Sequence, residues 1–451
     1  MEWIFSTVSE IPGLYFCSAL TSGYVLYYLL EVVKKPIIAC SDGEFKNYLT
    51  ANVPLLGEKF WPTVWCVESR LQTLMASFVR ATSIPQVSYR REILTLSDGG
   101  QICMDWMEPF ENCPPDTPTI IILPGLTGAS KADYVRGLVL AAKDEGLRTV
   151  VFNQRGIGGI KLKTPRTYCA ANFDDLVEVI AYVRGCCPNA PVAATGISMG
   201  GLILGNYIST HEDAGKSLTA AMLISVPWNV FKGCASIERP VVNLLLNRHL
   251  ASCLCNIIRG VREVVEPDIG ASTIDSILKS RTIKEFDSLY TCKQFGYGSV
   301  EAYYSAATLH NKVHRMKVPT LCLNAADDPF QPYDGIPVEE VNKSQNVCVV
   351  ITPRGGHIGF MEGIWPLISI GRRQYMFELF AQYFRSALSH SENFSAATKK
   401  VRGKHNKPST FFYPAIIDKA FLLVSKRGLL RSRRMSLSSK NLSFNTYSSE
   451  L

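Results

Sequence analysis

Gly196-Ile197-Ser198-Met199-Gly200 places one hydroxyl between two glycines. A serine hydroxyl is a weak nucleophile until a base takes its proton. The G-x-S-x-G spacing suits a serine on a sharp strand-to-helix turn, where a Cβ at either glycine would crowd neighbouring backbone. At average Gly and Ser usage the pattern arises by chance in roughly one chain of this length in six or seven, so it needs partners. His357 sits in Gly355-Gly356-His357-Ile358-Gly359-Phe360. A histidine among loop glycines is poorly explained as packed core and suits a general base. Asp327-Asp328-Pro329 offers the carboxylate that would fix the imidazole tautomer. Asp328, three residues after Ala325, is in the register of a small-x-x-Asp pattern, with Asp327 as the alternative. The order Ser198, Asp328, His357 is one of the known chain orders for acyl-transfer triads. The oxyanion of such a reaction needs two backbone N–H donors. They are expected at Met199, after the nucleophile, and at Leu126 in Pro124-Gly125-Leu126-Thr127-Gly128.

These residues must be held at strand ends. Residues 120–123, 149–152, 192–195, 220–226, 319–324 and 347–351 are short runs rich in β-branched or other apolar residues, which read as buried strands. Helical spacing recurs over residues 132–143, 202–208 and 173–183, the last behind Asn172 as a plausible N-cap. This alternation predicts an α/β fold: a mostly parallel sheet with helices on both faces. It lapses over residues 229–317, which have the size and position of a helical lid inserted between two strands. Residues 36–90 read as an N-terminal helical extension packed on a body spanning 91–388.

Five segments together carry a resemblance. They are Leu123-Pro124-Gly125-Leu126-Thr127-Gly128, Asn153-Gln154-Arg155-Gly156, Gly196-Ile197-Ser198-Met199-Gly200-Gly201, Asn324-Ala325-Ala326-Asp327-Asp328-Pro329-Phe330 and Gly355-Gly356-His357-Ile358-Gly359-Phe360. The set resembles the α/β-hydrolase subfamily of abhydrolase-domain-containing proteins 1 and 3, over about residues 35–388. The resemblance implies the α/β-hydrolase fold and a membrane-anchored serine esterase of lipid metabolism. It also implies phospholipase activity on phosphatidylcholines with short or medium acyl chains, and it carries Ser198, Asp328 and His357 over as the triad. His357-x4-Glu362 is near, but not the same as, the His-x4-Asp of some acyltransferase-like relatives.

The net charge of +8 is not spread evenly. From Ser386 onward there are 12 basic and 3 acidic residues, so residues 1–385 carry about −1. A near-neutral body argues against a general polyanion binder, and no nucleic-acid partner is expected. The 14 cysteines form no CxxC and no Cys/His ligand set, so neither a metal module nor a disulfide framework is expected, and no cofactor is called for. Residues 11–30 are uncharged for a length that matches a bilayer core, which predicts a transmembrane anchor helix. The expected partners are therefore membrane lipids, and the expected location is an endomembrane such as the endoplasmic reticulum. Lys34 and Lys35 after the run favour a cytosolic body, whereas sequons at Asn342, Asn393 and Asn441 would matter only in a lumenal one. The Ser-rich basic tail, residues 389–451, has the composition of a disordered segment, and its charge suits an anionic membrane surface. Arg433-Arg434-Met435-Ser436 offers a phosphorylation site there. Two other functions are compatible with these features. One is an acyltransferase that passes the same acyl-enzyme to an alcohol. The other is a catalytically silent membrane adaptor.

Overall fold

The computed structural model describes residues 13–363, 374–389, 394, 395 and 398. Nine strands form one sheet: β1 Ile37–Ala39, β2 Arg90–Thr95, β3 Gln101–Met107, β4 Thr119–Leu123, β5 Arg148–Asn153, β6 Val192–Ile197, β7 Ala221–Ile224, β8 Thr320–Ala325 and β9 Val347–Thr352. Their order is β1-β9-β8-β7-β6-β4-β5-β3-β2. The six strands from β5 to β9 are mutually parallel, and every pairing of β1, β2 and β3 is antiparallel. The six parallel strands are the six apolar runs of the sequence. Covered on both faces, they need no polar alternation.

Strand periodicity sorts the sheet into two cores. Ile121 and Leu123 face one cluster with the helices Asp174–Cys186 and Met199–Thr210. Ile120 and Ile122 face the other with Asp133–Asp144 and Tyr375–Ser389. The helix expected behind Asn172 begins one residue later. Its first non-helical residue is Phe173, and the Asn172 side chain accepts from the Asp174 N–H at 3.3 Å.

Between β7 and β8 the chain builds a layer of short helices, chiefly Val230–Ile237, Val242–Gly260, Arg262–Ile269, Ala271–Ile277 and Val300–Ala307. This layer has its own apolar core, including Leu254, Ile258, Val265, Ile274 and Phe286. Each fully buried side chain of that kind contributes about 1.5–3 kcal/mol, which gives the layer a defined shape over the sheet ends.

The N-terminal part differs from a purely helical extension. It contributes β1 at one edge of the sheet, and β2 begins at Arg90. Between them lie the helices Glu44–Asn52 and Ser69–Ser83. The helix Ser69–Ser83 is fastened to the body by Arg136, which donates to the carbonyls of Ile84 at 2.8 Å and Pro85 at 3.1 Å.

Among the described residues, no single helix is long and apolar enough to cross a membrane. The helix Gly13–Tyr27 covers most of the uncharged run, whose first residues Ile11 and Pro12 lie outside the described residues. Outside them too lie Ser436, the sequons at Asn393 and Asn441, and almost all of the basic tail. Asn342 is exposed at the end of the helix Val338–Val341.

Candidate active site

β6 ends at Ile197, and the helix Met199–Thr210 starts two residues later. Ser198 joins them at φ 53°, ψ −116°. A non-glycine residue there stores about 1–3 kcal/mol of strain, so its surroundings must impose it. Part of the hold is a hydrogen bond from the Ser198 N–H to the Ile224 carbonyl at 2.8 Å. The rest is space. A Cβ on Gly196 would stand 2.4 Å from the Gly200 carbonyl oxygen, and one on Gly200 would stand 2.2 Å from that of Leu123. The helix can approach the sheet closely enough to aim Ser198 outward only because both flanks are glycine.

Ser198 Oγ lies 2.9 Å from His357 Nε2. The other ring nitrogen, Nδ1, lies 2.9 Å from Asp328 Oδ2 and 3.2 Å from Oδ1. A carboxylate only accepts, so Nδ1 carries the proton and Nε2 is left to accept from Ser198. Asp328 follows β8, is 2% exposed, and accepts from the N–H groups of Phe330 at 2.7 Å and Gln331 at 3.3 Å. The Phe330 ring lies against the imidazole, 4.4 Å between centroids.

The two adjacent aspartates take different partners. Asp327 Oδ1 accepts from the Gly356 N–H at 2.9 Å and so braces the loop one residue before His357. Its Oδ2 has no hydrogen-bond partner among the described residues. Burial pushes its carboxyl up to about 7. The imidazole contact belongs to Asp328.

The His357 loop is held from outside the sheet as well. Its N–H donates to Thr73 Oγ1 at 2.9 Å, and the Ile358 N–H to Ser225 Oγ at 3.1 Å. Arg80, 1% exposed, donates to the carbonyls of Ile358, at 2.6 Å, and Gly359, and to Gln374 Oε1 at 2.7 Å. Burial lowers the Arg80 guanidinium to about 10, opposed by Asp133 nearby. The helix Ser69–Ser83 is thus a clamp on the His357 loop. The sequence reading passed over Thr73, Arg80 and Ser225. A visible signal was the polar Gln72 and Arg80 on the same helical face as Ala76 and Val79, but the burial of that face depends on the tertiary fold.

Leu126 and Met199 both border the cavity that opens at Ser198. The loop carrying Leu126 is pinned by Tyr134, whose hydroxyl accepts from the Gly125 N–H at 2.9 Å. By contrast, the Asn153-Gln154-Arg155-Gly156 segment is structural. The buried Arg155 forms ion pairs with Asp175 and the more exposed Asp98, both at 2.7 Å, and Asn153 donates to Asp105 at 3.0 Å.

The cavity measures 430 Å³, within the usual range of small-molecule sites. It runs from Ser198 and His357 under the inserted helices, between apolar side chains such as Leu202, Leu250, Leu254, Ile258 and Phe286. Two carboxyl residues, Asp133 and Asp287, lie in its wall, and Asp287 accepts from Thr291 Oγ1 at 2.7 Å and from the Tyr304 hydroxyl at 3.2 Å. Burial pushes the Asp287 carboxyl up to about 7.

A mostly parallel sheet, a serine on a strained turn after β6 and helices inserted between β7 and β8 define an α/β hydrolase. Residues 118–243 match the family described as alpha/beta hydrolase fold. The chain is 40% identical to the phospholipase ABHD3 of Mus musculus over 85% of its own length and 92% of that protein's. Against the Homo sapiens phospholipase ABHD3 the identity is 39%, with the same coverage. The monoacylglycerol lipase ABHD2 of Bos taurus is 24% identical over 79% of this chain and 88% of that one. Among solved structures, the Pyrococcus furiosus esterase Pf2001 aligns at 16% identity and a TM-score of 0.40, over 64% of this chain and 91% of that chain. The chain belongs to the ABHD3 subfamily of the α/β-hydrolase superfamily.

Proposed function

We propose that the chain is a membrane-anchored serine hydrolase that cleaves the acyl ester bonds of phospholipids. The observation that carries this reading is the hydrogen-bonded series Ser198–His357–Asp328 at the mouth of an apolar cavity. The chain is an ester hydrolase of the lipase/phospholipase type. His357 Nε2 takes the Ser198 proton as Oγ attacks the acyl carbonyl, and Asp328 stabilises the imidazolium. The backbone N–H groups of Met199 and Leu126 receive the oxyanion. His357 then protonates the leaving lysolipid alcohol, and water, deprotonated by the same nitrogen, releases the fatty acid. The cavity under the inserted helices takes the acyl chain, and its 430 Å³ volume favours short or medium chains. Phosphatidylcholine is the proposed head-group class, in keeping with the phospholipase relatives. The uncharged run over residues 11–30 is the proposed anchor, in an endomembrane.

The test uses the full chain in phosphatidylcholine vesicles that differ in acyl length. Ser198-dependent release of fatty acid from short or medium chains, above that from long ones, is expected. Failure to release fatty acid from any phosphatidylcholine would refute the proposed substrate. An acyl-thioester donor with an acceptor alcohol in the same assay separates hydrolysis from acyl transfer.

A further inference from the structure

The helix Ser69–Ser83 has two working faces. Gln72, Ala76, Val79 and Arg80 are buried against the body. Leu71, Leu74 and Phe78, at helical spacing on the opposite side, are 40%, 52% and 65% exposed. Leu74 also borders the cavity, so this helix forms part of its mouth. Across the mouth stands the lid helix Val242–Gly260, joined to the first helix by a hydrogen bond from Arg70 Nε to Asn243 Oδ1 at 2.6 Å. This side also presents apolar residues outward: Leu245 is 59% and Val241 73% exposed. Val241 is held at φ 71°, an outlier for a β-branched residue. It lies in the turn between Val230–Ile237 and Val242–Gly260. These two helices meet at 109° and together have the length and composition of a broken membrane span or re-entrant loop.

Apolar side chains in water around a cavity mouth mark an interaction face. Three features of the surrounding surface identify what covers it. The apolar helix Gly13–Tyr27 is tied to the segment leading into the clamp helix, its Tyr24 hydroxyl donating to the Val64 carbonyl. Trp61 and Trp65, exposed between the two, are the residue type enriched at the membrane–water boundary. Arg239 and Arg248, exposed on the lid side of the mouth, have no ion-pair partner among the described residues and suit lipid phosphates.

We propose that the cavity mouth itself docks on a phospholipid bilayer. In this arrangement Leu71, Leu74 and Phe78 on one side, and Val241 and Leu245 on the other, enter its interfacial layer. The proposal rests on the functional reading above and deepens it. The anchor alone would hold the enzyme near lipid, whereas this face would let an acyl chain pass from bilayer to Ser198 without crossing water.

The full-length Ser198→Ala chain in nanodiscs of phosphatidylcholine, doped with a phosphatidylcholine carrying a diazirine on its acyl chain, tests the docking directly. Irradiation should cross-link lipid to peptides covering residues 69–83 and 239–248. Cross-links confined to residues 11–32 would overturn the proposal, and so would a face covered by a protein or a second copy. A kinetic comparison supplies a second reading. Phe78→Ser combined with Leu245→Ser, neither of which borders the cavity, should slow hydrolysis of vesicle phosphatidylcholine at least ten-fold. Turnover of the water-soluble ester p-nitrophenyl butyrate should stay unchanged. Equal effects on both substrates, or none on either, would contradict it. Cross-linking at the predicted peptides with no Ser198-dependent turnover of any ester would instead sink the functional reading and leave the docking intact.

Discussion

Asp327 and Asp328 are neighbours in sequence with unlike surroundings. Asp328 meets the imidazole and two backbone N–H groups, whereas Asp327 meets, among the described residues, the Gly356 N–H and a distant Arg354 guanidinium. Asp328→Asn should therefore lower kcat by roughly 10⁴-fold, because the amide imposes the wrong imidazole tautomer. Asp327→Asn should leave kcat within about ten-fold, since its contact with the loop is a single hydrogen bond worth about 1 kcal/mol. Steady-state rates on a soluble ester separate the two, and the reverse ranking would move the triad acid to Asp327. Asp287 makes a different prediction. Its folded carboxyl sits at about 7, well above the ordinary carboxylate range, because burial disfavours its charge. Between about 4 and 7 the native state holds a proton that the unfolded chain has lost. The associated stability is therefore complete below about 4 and is lost as pH rises through 7. Urea midpoints at pH 5 and pH 8 should differ less in Asp287→Asn than in the unmodified chain. An unchanged difference would show that Asp287 is ionised in the fold.

Among the elements, the helix Ser69–Ser83 makes the strongest demand on experiment. Arg80→Met removes a buried charge and leaves the Ile358 and Gly359 carbonyls without their donor. A loss of about 3 kcal/mol or more is expected, with a fall in kcat as the His357 loop loosens. Thr73→Val removes one hydrogen bond to the His357 N–H, so a cost near 1 kcal/mol and a smaller fall in kcat should result. Chemical unfolding together with kcat checks both, and a stable Arg80→Met enzyme with unchanged kcat would contradict the clamp. The legibility of the elements follows their surroundings. The parallel strands, buried on both faces, stood out as apolar runs. β2 escaped notice because it is an edge strand with exposed Arg90 and Arg91, and β1 because it has three residues. β3 is paired on both sides but carries Asp105, whose charge is met by Arg91 at 2.7 Å and by the Ser130 hydroxyl at 2.5 Å. A buried aspartate in an apolar run breaks the pattern a strand is recognised by, and its partners come from elsewhere in the chain. Ser198, His357 and the two aspartates were legible because loop glycines and strand ends are local signals. Thr73, Arg80 and Ser225 act through contacts between segments far apart in sequence.

Over the whole molecule, charge, cavity and apolar surface are segregated. The body carries about −1 and encloses a mostly apolar cavity, while the excess positive charge lies in the last part of the chain. A mostly apolar cavity suits the acyl part of a lipid ester. The described part of the N-terminal segment is joined to the same body through Tyr28, whose hydroxyl donates to the Pro62 carbonyl at 2.6 Å, and through the bridge between Lys34 and Phe60. The segment that follows the proposed anchor is therefore tied to residues 60–62, a few positions ahead of the helix that clamps His357. All of this turns on Ser198 being the nucleophile. Intact-protein mass spectrometry after treatment with a fluorophosphonate measures that most directly. The expected result is one phosphonyl adduct, on the peptide containing Ser198, and no adduct on Ser198→Ala. Equal labelling of Ser198→Ala would contradict it.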